Sequence, residues 1–391
     1  MSEFNASNFK KEEGGQGPDI IGTTELTSPY FMVPPSGTTA ERPSGCAPGT
    51  LRFNTDIGSL EYYKGDTLGW ESIVKTTPNL GGGTGSNTGT GARGLWAGSG
   101  DPASGREEIL YITISTLGDS QVFGDLSSDK YATAGLGSRT RGVFAGGYNP
   151  SQVNTIEFVT FASLGDVTNF GDMSYVARDL GGLASSTRGL FFGGISTPGS
   201  PAGTNTIEYI TIASEGNAVN FGDAHAAAEG MEGMASSTRG IISGGSNPSS
   251  AYNNISYVTI ATTGDITDFG DMSESRWTFG SGSNATRGIF SGGRTPASAS
   301  GVDTMDYITI ATLGNSTAFG EVTETGSAGP GKGSCASPTR AVAAGGGASP
   351  AYTNFIQYVQ IAQTGDSVDY GDLATTRGYP GGLSNGHGGL G

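Results

Sequence analysis

The sequence predicts an all-β protein built from one antiparallel sheet that is repeated six times. Each copy carries an aromatic residue, a glycine seven residues later and a second aromatic twelve residues after the first. The first aromatics are Tyr111, Phe158, Tyr209, Tyr257, Tyr307 and Tyr358. An arginine precedes each copy, at Arg93, Arg141, Arg188, Arg239, Arg287 and Arg340. These arginines recur at intervals of 47 to 53 residues, a period that suits a four-stranded unit and is too long for ankyrin, tetratricopeptide or leucine-rich repeats.

Each unit contains short strands joined by tight turns. In the second unit, residues 143–147 form a small apolar strand that ends in two glycines. Residues 156–162 are rich in β-branched and aromatic residues, with apolar groups on both faces. Gly165 is typical of a hairpin turn, and a fourth stretch returns through Phe170. A sheet buried on both faces needs a neighbour on each side, which favours a radial propeller over an open β-solenoid.

The unit resembles the kelch repeat in its double glycine, its aromatic strand and its second aromatic. The resemblance covers about residues 92–391, and the second aromatic is Phe or Tyr where kelch motifs usually place Trp. It implies a six-bladed kelch-like β-propeller. Residues 374–391 match residues 177–190, which lead from one blade to the next, so the C-terminal stretch can complete the first blade. A strand near residues 81–90 can serve the same purpose, and the sequence does not choose between them.

The N-terminal quarter predicts a small anchoring region. Residues 1–24 are polar and glycine-rich, which is typical of an extended docking arm. Five prolines between residues 25 and 48 favour extended structure and exclude helix. A three-stranded meander is expected over residues 51–54, 60–63 and 70–74. The predicted domains are therefore the arm 1–24, a β module 25–79 and a propeller 80–391.

Residues 49–70 resemble the GTIRFNTDTGxLExYxGxxW modules of bacteriophage tail fibres and related virion proteins. The chain as a whole is similar to marine cyanophage structural proteins that join such a module to glycine-rich kelch-like repeats and end near SNGHGGL, as residues 384–390 do here. The resemblance implies a tail fibre or receptor-binding component of the virion. It also implies a homotrimer, because fibre modules of this type assemble around a threefold axis.

Composition excludes several classes of partner. The net charge of −16 opposes nucleic-acid binding. No apolar stretch is long enough to span a membrane, and the N-terminus lacks the apolar core of a signal peptide. The two cysteines, Cys46 and Cys335, are expected to be free thiols.

The sequence offers little for catalysis, so we expect no enzyme, no cofactor and no metal site. The two histidines, His225 and His387, are expected to be structural, in a loop and at a strand end respectively. The repeated Arg141, Arg188, Arg239 and Arg287, and the aspartates of the FGD motif such as Asp172 and Asp271, occur in every unit or nearly so. Such periodicity indicates architecture, and we expect each arginine to bind carboxylates or backbone carbonyls between adjacent strands.

Ligand binding is expected where the units differ. The loops after the double glycine and after FGD vary, and they present aromatic and polar groups suited to sugars. The candidate binding residues are Trp277, Arg276, Tyr175, Arg178 and Tyr131. We therefore expect a non-enzymatic virion protein that is anchored to other virion proteins by its N-terminus and adheres to a host-surface glycan or protein. The alternatives are a capsid or tail decoration protein and, less well supported, a carbohydrate-active enzyme.

Overall fold

The computed structural model describes residues 34–56, 59–72, 92–100, 106–196, 203–298, 301–323, 333–348 and 351–390. The chain divides into two compact units, Met1–Thr76 and Thr77–Gly391. The all-β prediction is confirmed, since the regular elements of the described residues are strands and two short 3-10 helices. The predicted arm and the possible closing strand near residues 81–90 lie outside these residues. In the described part of the chain, no helix has the length and apolarity needed to cross a bilayer.

The small unit is a four-stranded sheet. Its strands, in spatial order, are Ser36–Gly37, Leu51–Asn54, Ser59–Tyr63 and Trp70–Ser72. The last three are antiparallel and form the predicted meander, while the first pairs in parallel with the second. The expectation that the prolines exclude helix is wrong over one 3-10 turn, Thr39–Glu41. The Glu41 carboxylate accepts the Thr38 N–H at 2.7 Å and caps that turn.

A polar network holds the small sheet together. The Glu61 side chain is fully buried and binds Arg42 at 2.7 Å, Arg52 at 3.3 Å and the Asn54 amide at 3.1 Å. The hydrogen bond from Arg42 is the main cause that lowers the pKa of Glu61. Two guanidinium groups thus compensate a carboxylate that would otherwise be costly to bury.

The large unit consists of four-stranded antiparallel sheets, one for each sequence repeat, which we number I to VI. Their strands, each given from first to fourth, are as follows: sheet I, Gly381–Ser384, Arg93–Ala97, Arg106–Thr113 and Gln121–Lys130; sheet II, Ala134–Gly137, Arg141–Ala145, Val153–Thr160 and Thr168–Ala177; sheet III, Gly181–Ala184, Arg188–Phe192, Thr204–Thr211 and Val219–Ala235; sheet IV, the end of Val219–Ala235, then Arg239–Asn247, Asn254–Thr259 and Thr267–Asp271; sheet V, Gly280–Ser283, Arg287–Ser291, Thr304–Thr309 and Thr317–Glu321; sheet VI, Gly333–Ala336, Arg340–Ala344, Ala351–Gln360 and Val368–Arg377. Two further short strands, Ser250–Ala251 and Gly347–Ala348, extend sheets IV and VI.

The C-terminal strand completes sheet I. Gly381–Ser384 pairs antiparallel with Arg93–Ala97, with Leu383 opposite Leu95. The alternative that residues 374–391 complete the first sheet is therefore the one observed. Sheets III and IV are continuous, because Val219–Ala235 pairs with sheet III through its first half and with sheet IV through its second half.

The six first strands contact one another in cyclic order. Each touches the first strand of the next sheet, and the first strand of sheet VI touches that of sheet I. The apolar core lies between consecutive sheets in the same way. One cluster, for example, packs Trp96 and Leu110 of sheet I against Val342 and Ile356 of sheet VI. Each sheet is thus buried on both faces, as the apolar pattern predicts.

The repeated arginines connect each sheet to the next. Each lies over the first aromatic of its own unit at 4.3 to 5.1 Å from the ring centroid. Each also donates to a backbone carbonyl at the end of the third strand of the following sheet. The pairs are Arg93 to Phe161, Arg141 to Ile212, Arg188 to Ile260, Arg239 to Ile310, Arg287 to Ile361 and Arg340 to Ile114, at 2.5 to 3.2 Å. This geometry agrees with the architectural role expected of these residues.

The turn glycine and the second aromatic form a similar series. The two aromatics of each unit meet edge to face, as Tyr209 and Phe221 do at 6.2 Å between centroids. The carbonyl of each second aromatic accepts the N–H of the turn glycine of the next sheet, as Phe170 does from Gly216 at 2.8 Å. The FGD motif also acts through its backbone, since the Asp172 N–H donates to Asn217 Oδ1 at 3.0 Å and Asp271 does the same to Asn315. The fixed spacing of the sequence unit therefore reflects contacts between sheets.

Candidate functional site

Five residues in the left-handed region form a hydrogen-bonded series where the chain enters the first strands. We call them the mouth ring: Ala132, Asp179, Gly230, Thr278 and Tyr379, with φ between 51° and 61°. The N–H of each donates to the carbonyl of the preceding one, at 3.0 Å from Asp179 to Ala132 and 2.8 Å from Gly230 to Asp179. The series also includes the bond from Ala132 to Tyr379 at 3.0 Å. Four of the five are not glycine, so this backbone is strained, a feature that clusters at functional sites.

The residues just before the mouth ring form its rim. Tyr131, Arg178 and Trp277 each bridge to a residue that follows a double glycine, namely Tyr148, Ile195 and Arg294. Glu229 takes the same position before Gly230 and pairs with Ser246. Three of the five candidate binding residues are thus at equivalent places on one rim, all of them half-buried.

Aromatic rings occupy part of the rim. Tyr131 and Tyr148 lie 5.5 Å apart between centroids, and the Arg178 guanidinium lies 5.6 Å from the Tyr148 ring. Tyr379 of the mouth ring meets Tyr352 edge to face at 6.5 Å. These tyrosines are half-buried, so each keeps part of a ring available to a ligand.

The rest of the rim is charged. Arg178 pairs with Asp179 at 2.6 Å, and the Asp179 side chain is only 8% exposed. Burial raises the pKa of Asp179, against the opposing effect of Arg178 and Arg294. Burial, with a further contribution from the Asp179 charge, raises the pKa of Glu229 to about 7. The group therefore changes charge near neutral pH.

Two connected cavities lie at the mouth ring and among the first strands. The outer cavity, of about 50 Å³, is bounded by four mouth-ring residues and by Thr133, Leu180, Glu232 and Pro380. The inner cavity, of about 100 Å³, is lined by all six first strands and shares Thr133, Leu180, Glu232 and Pro380 with the outer one. His387 lines the inner cavity as well.

Two of the five candidate residues are not available to a ligand. Arg276 is fully buried, and it binds Asp306, the Thr304 carbonyl at 2.9 Å and the Ser273 hydroxyl at 3.0 Å. Tyr175 packs against the core between sheets II and III and donates to the Gly193 carbonyl at 3.3 Å. Sequence reasoning placed both in an exposed loop, but alternation along the strand turns their side chains inward.

The histidines differ from expectation in one respect. His225 lies within strand Val219–Ala235 and packs against Tyr252 at 5.2 Å, so its assignment to a loop is wrong. His387 follows the closing strand and is bound on both ring nitrogens. Its Nε2–H donates to the Gly137 carbonyl at 2.7 Å, and its Nδ1 accepts the Gly389 N–H at 3.2 Å. Burial lowers the pKa of His387, which stays neutral.

Sequence reasoning missed the residues that give the site its charge: Asp179, Glu229, Glu232, Arg294 and Tyr379. A usable signal was present in the alignment of the repeats. The first strands begin with Ala134, Gly181, Gly280, Gly333 and Gly381 in five sheets and with Glu232 in sheet IV, as their pairing with the second strands shows. A carboxyl in a row of small residues is a departure of the kind that marks function.

Comparison with known proteins does not identify the chain. No protein-family model matches it, and no curated protein is significantly similar.

Proposed function

We propose that residues 92–390 form a closed six-bladed β-propeller of the kelch-like type. Three observations support this architecture. The six sheets have the same strand order, the first strands contact one another cyclically, and an arginine hydrogen bond leads from each sheet to the next and from sheet VI to sheet I. A radial arrangement satisfies all three, because every sheet then has one neighbour on each face.

The chain is, in this proposal, a non-enzymatic virion protein that binds a host-surface glycan at the mouth ring and its rim. The observation that carries it is the combination of half-exposed aromatic rings and charged groups around a strained, hydrogen-bonded backbone. Sugars are commonly held by aromatic faces together with a few fixed polar groups. Trp277, Tyr131 and Arg178 occupy equivalent positions on the rim, so one ligand can contact all three.

The assignment to a phage particle rests on the sequence. Residues 49–70 and the terminal SNGHGGL motif resemble virion proteins, and the small unit with its preceding arm would attach the chain to other virion proteins. Trimeric assembly through that region is part of the proposal. The propeller would then face outward as the receptor-binding part of a tail fibre.

One observation favours a carbohydrate-active enzyme as a second candidate. Glu229, with its pKa raised to about 7, has the ionisation expected of a general acid, and Asp179 and Glu232 are other carboxyls of the same region. Glycosidases, however, place their two carboxyls on either side of the scissile bond. The outer cavity of about 50 Å³ is small beside the roughly 300 to 1,000 Å³ of ordinary ligand pockets. The geometry therefore supports adhesion better than hydrolysis.

Glycan binding by the purified full chain tests the proposal. We expect binding on an array of bacterial surface glycans that is reduced at least about tenfold by Trp277→Ala, as expected when an aromatic contact of about 1.5 kcal/mol or more is removed. Tyr62→Ala in the small unit is the matched control and should bind like the parent. Absence of glycan binding, or binding that Trp277→Ala leaves intact, would contradict the proposal. Release of reducing sugar that Glu229→Gln abolishes would favour the enzyme.

A further inference from the structure

The outer cavity contains a carboxyl that packing does not require. Glu232 begins a first strand where the five other sheets have Ala or Gly. The side chain is half-buried and faces both cavities. Its Oε2 accepts one long hydrogen bond, from the Ser281 hydroxyl at 3.4 Å. Among the described residues, Glu232 takes part in no ion pair.

The charges around the mouth leave one carboxyl uncompensated. Asp179, Glu229 and Glu232 supply three carboxyls, and Arg178 and Arg294 supply two guanidinium groups that interact with them. Three minus two leaves one negative charge without a partner in the described part of the site. A ligand with one positive charge would balance it, and Glu232 is the carboxyl most in need of one.

Two hydroxyls in the wall of the same cavity also have free hydrogen-bonding capacity. Thr133 and Thr278 are 6% and 8% exposed, and both line the outer cavity. Neither Oγ1 atom has a hydrogen-bond partner in the structure. Buried hydroxyls without partners are rare and costly, which points to a bound group that satisfies them.

The size of the cavity limits that group. A cavity of about 50 Å³ holds a few water-sized groups, since roughly 10 to 15 Å³ admits one water. A sugar ring does not fit there, but an ammonium group with its adjacent carbon does. A divalent cation is a poorer match, because it takes about six or more oxygen ligands, and within the described residues no three His, Cys, Asp or Glu side chains are placed to hold a metal.

We propose that this cavity binds a primary ammonium group carried by the host glycan, on either an amino sugar or an aminoalkyl substituent. The inference rests on the proposed glycan binding and names the chemical feature that would be recognised. The ammonium would donate to the Glu232 carboxylate and to the hydroxyl oxygens of Thr133 and Thr278. The sugar ring would stay outside the mouth ring, against Tyr379 and Trp277.

Calorimetric titration of the full chain tests the site directly. The probes are glucosamine, N-acetylglucosamine, glucose and ethanolamine. We expect glucosamine to bind at least about tenfold more tightly than N-acetylglucosamine or glucose, as for a charge-assisted hydrogen bond. Binding of ethanolamine as well would assign recognition to the ammonium group alone, and its failure beside glucosamine binding would assign it to the amino sugar. Equal affinity for glucosamine and N-acetylglucosamine would overturn the proposal.

Variants separate the site from general charge effects. Glu232→Gln, which keeps the shape of the side chain, should weaken glucosamine binding at least about tenfold. Asp369→Asn removes the same charge at an exposed position and should leave the affinity unchanged. Thr133→Val should also weaken binding while unfolding at the same or a higher temperature, because it removes an unsatisfied hydroxyl. Unchanged affinity in Glu232→Gln would refute the site.

The experiment also distinguishes this inference from the proposed function. Glycan binding that needs Trp277 but is equal for amino and N-acetyl sugars would leave the adhesin standing and remove the ammonium site. Ethanolamine binding that needs Glu232, in a chain that binds no glycan, would do the reverse. Lys332 precedes Gly333 and lies outside the described residues, so Lys332→Gln is included. Glucosamine binding that appears only in this variant would mean that the chain supplies its own ammonium, and the proposal would fall.

Discussion

Arg340 donates a hydrogen bond of 2.8 Å to the carbonyl of Ile114, 226 residues earlier in the chain. The same contact joins every other consecutive pair of sheets, so Arg340 links the last sheet to the first by the interaction that the repeat uses throughout. The closing strand supplies a second link, by pairing Gly381–Ser384 with Arg93–Ala97. The two ends of the repeat array are thus joined both by a side chain and by backbone pairing.

Removal of one repeated arginine should destabilise the large unit. In Arg188→Ala, the Ile260 carbonyl loses its donor at 2.9 Å and the Tyr209 ring loses the guanidinium 4.3 Å from its centroid. We expect a loss of about 1 to 3 kcal/mol, seen as a lower melting temperature by a few degrees. Ligand binding at the mouth should be retained by the folded variant. A melt identical to the parent combined with lost binding would show that the arginine serves the ligand.

Neighbouring residues 276 and 277 should behave in opposite ways. Arg276→Ala leaves Asp306 buried without its guanidinium partner, which should cost about 3 to 5 kcal/mol of folding stability. Trp277→Ala removes a half-buried rim residue and should change the melting temperature little while weakening glycan binding. Thermal unfolding of the two variants side by side measures the difference. Equal destabilisation would place Trp277 in the packing of the sheets.

The large unit should fold without the N-terminal region. The fragment 80–391 contains the sheets and the strand that completes sheet I. We expect a soluble product with one cooperative thermal transition. The matched deletion, 80–380, lacks the closing strand and uncovers Trp96, which is fully buried in the parent. It should lose that transition, and a shorter fragment as stable as 80–391 would mean that the closing strand is dispensable.

Acid should destabilise the chain through His387. Burial holds the folded-state pKa of His387 below the unfolded value of about 6.5. The unfolded state therefore binds more protons as pH falls, and the stability from neutral His387 is present above about pH 6.5 and lost below it, by at most about 1.4 kcal/mol per pH unit.

His387→Gln is the variant that isolates this effect, because its amide can donate to the Gly137 carbonyl and does not titrate. The difference in melting temperature between parent and variant, measured from pH 7.5 to pH 5, should shift in favour of the variant. Other groups, including His225 and Glu229, are common to both proteins and cancel. A difference that does not change with pH would show that His387 contributes no pH dependence.

The repeat pattern predicted more of the fold than of the site, for physical reasons. Spacing in the repeat is set by contacts that recur in every sheet, such as the edge-to-face pair of Tyr257 and Phe269, so it is visible as periodicity. Function uses departures from that pattern, and Glu232 is a single residue among small ones. Arg276 and Trp277 are adjacent, yet one is buried and the other lies on the rim, and sequence alone could not say which side of the strand faces the core.

Cryo-electron microscopy of the purified virus particle that contains this chain tests the central claim most directly. The account predicts that the chain lies at the end of a tail fibre, with the small unit toward the particle and the rim residues Tyr131, Arg178 and Trp277 facing solvent. Finding the chain repeated over the capsid, with this rim covered by neighbouring subunits, would contradict receptor binding and favour a decoration protein.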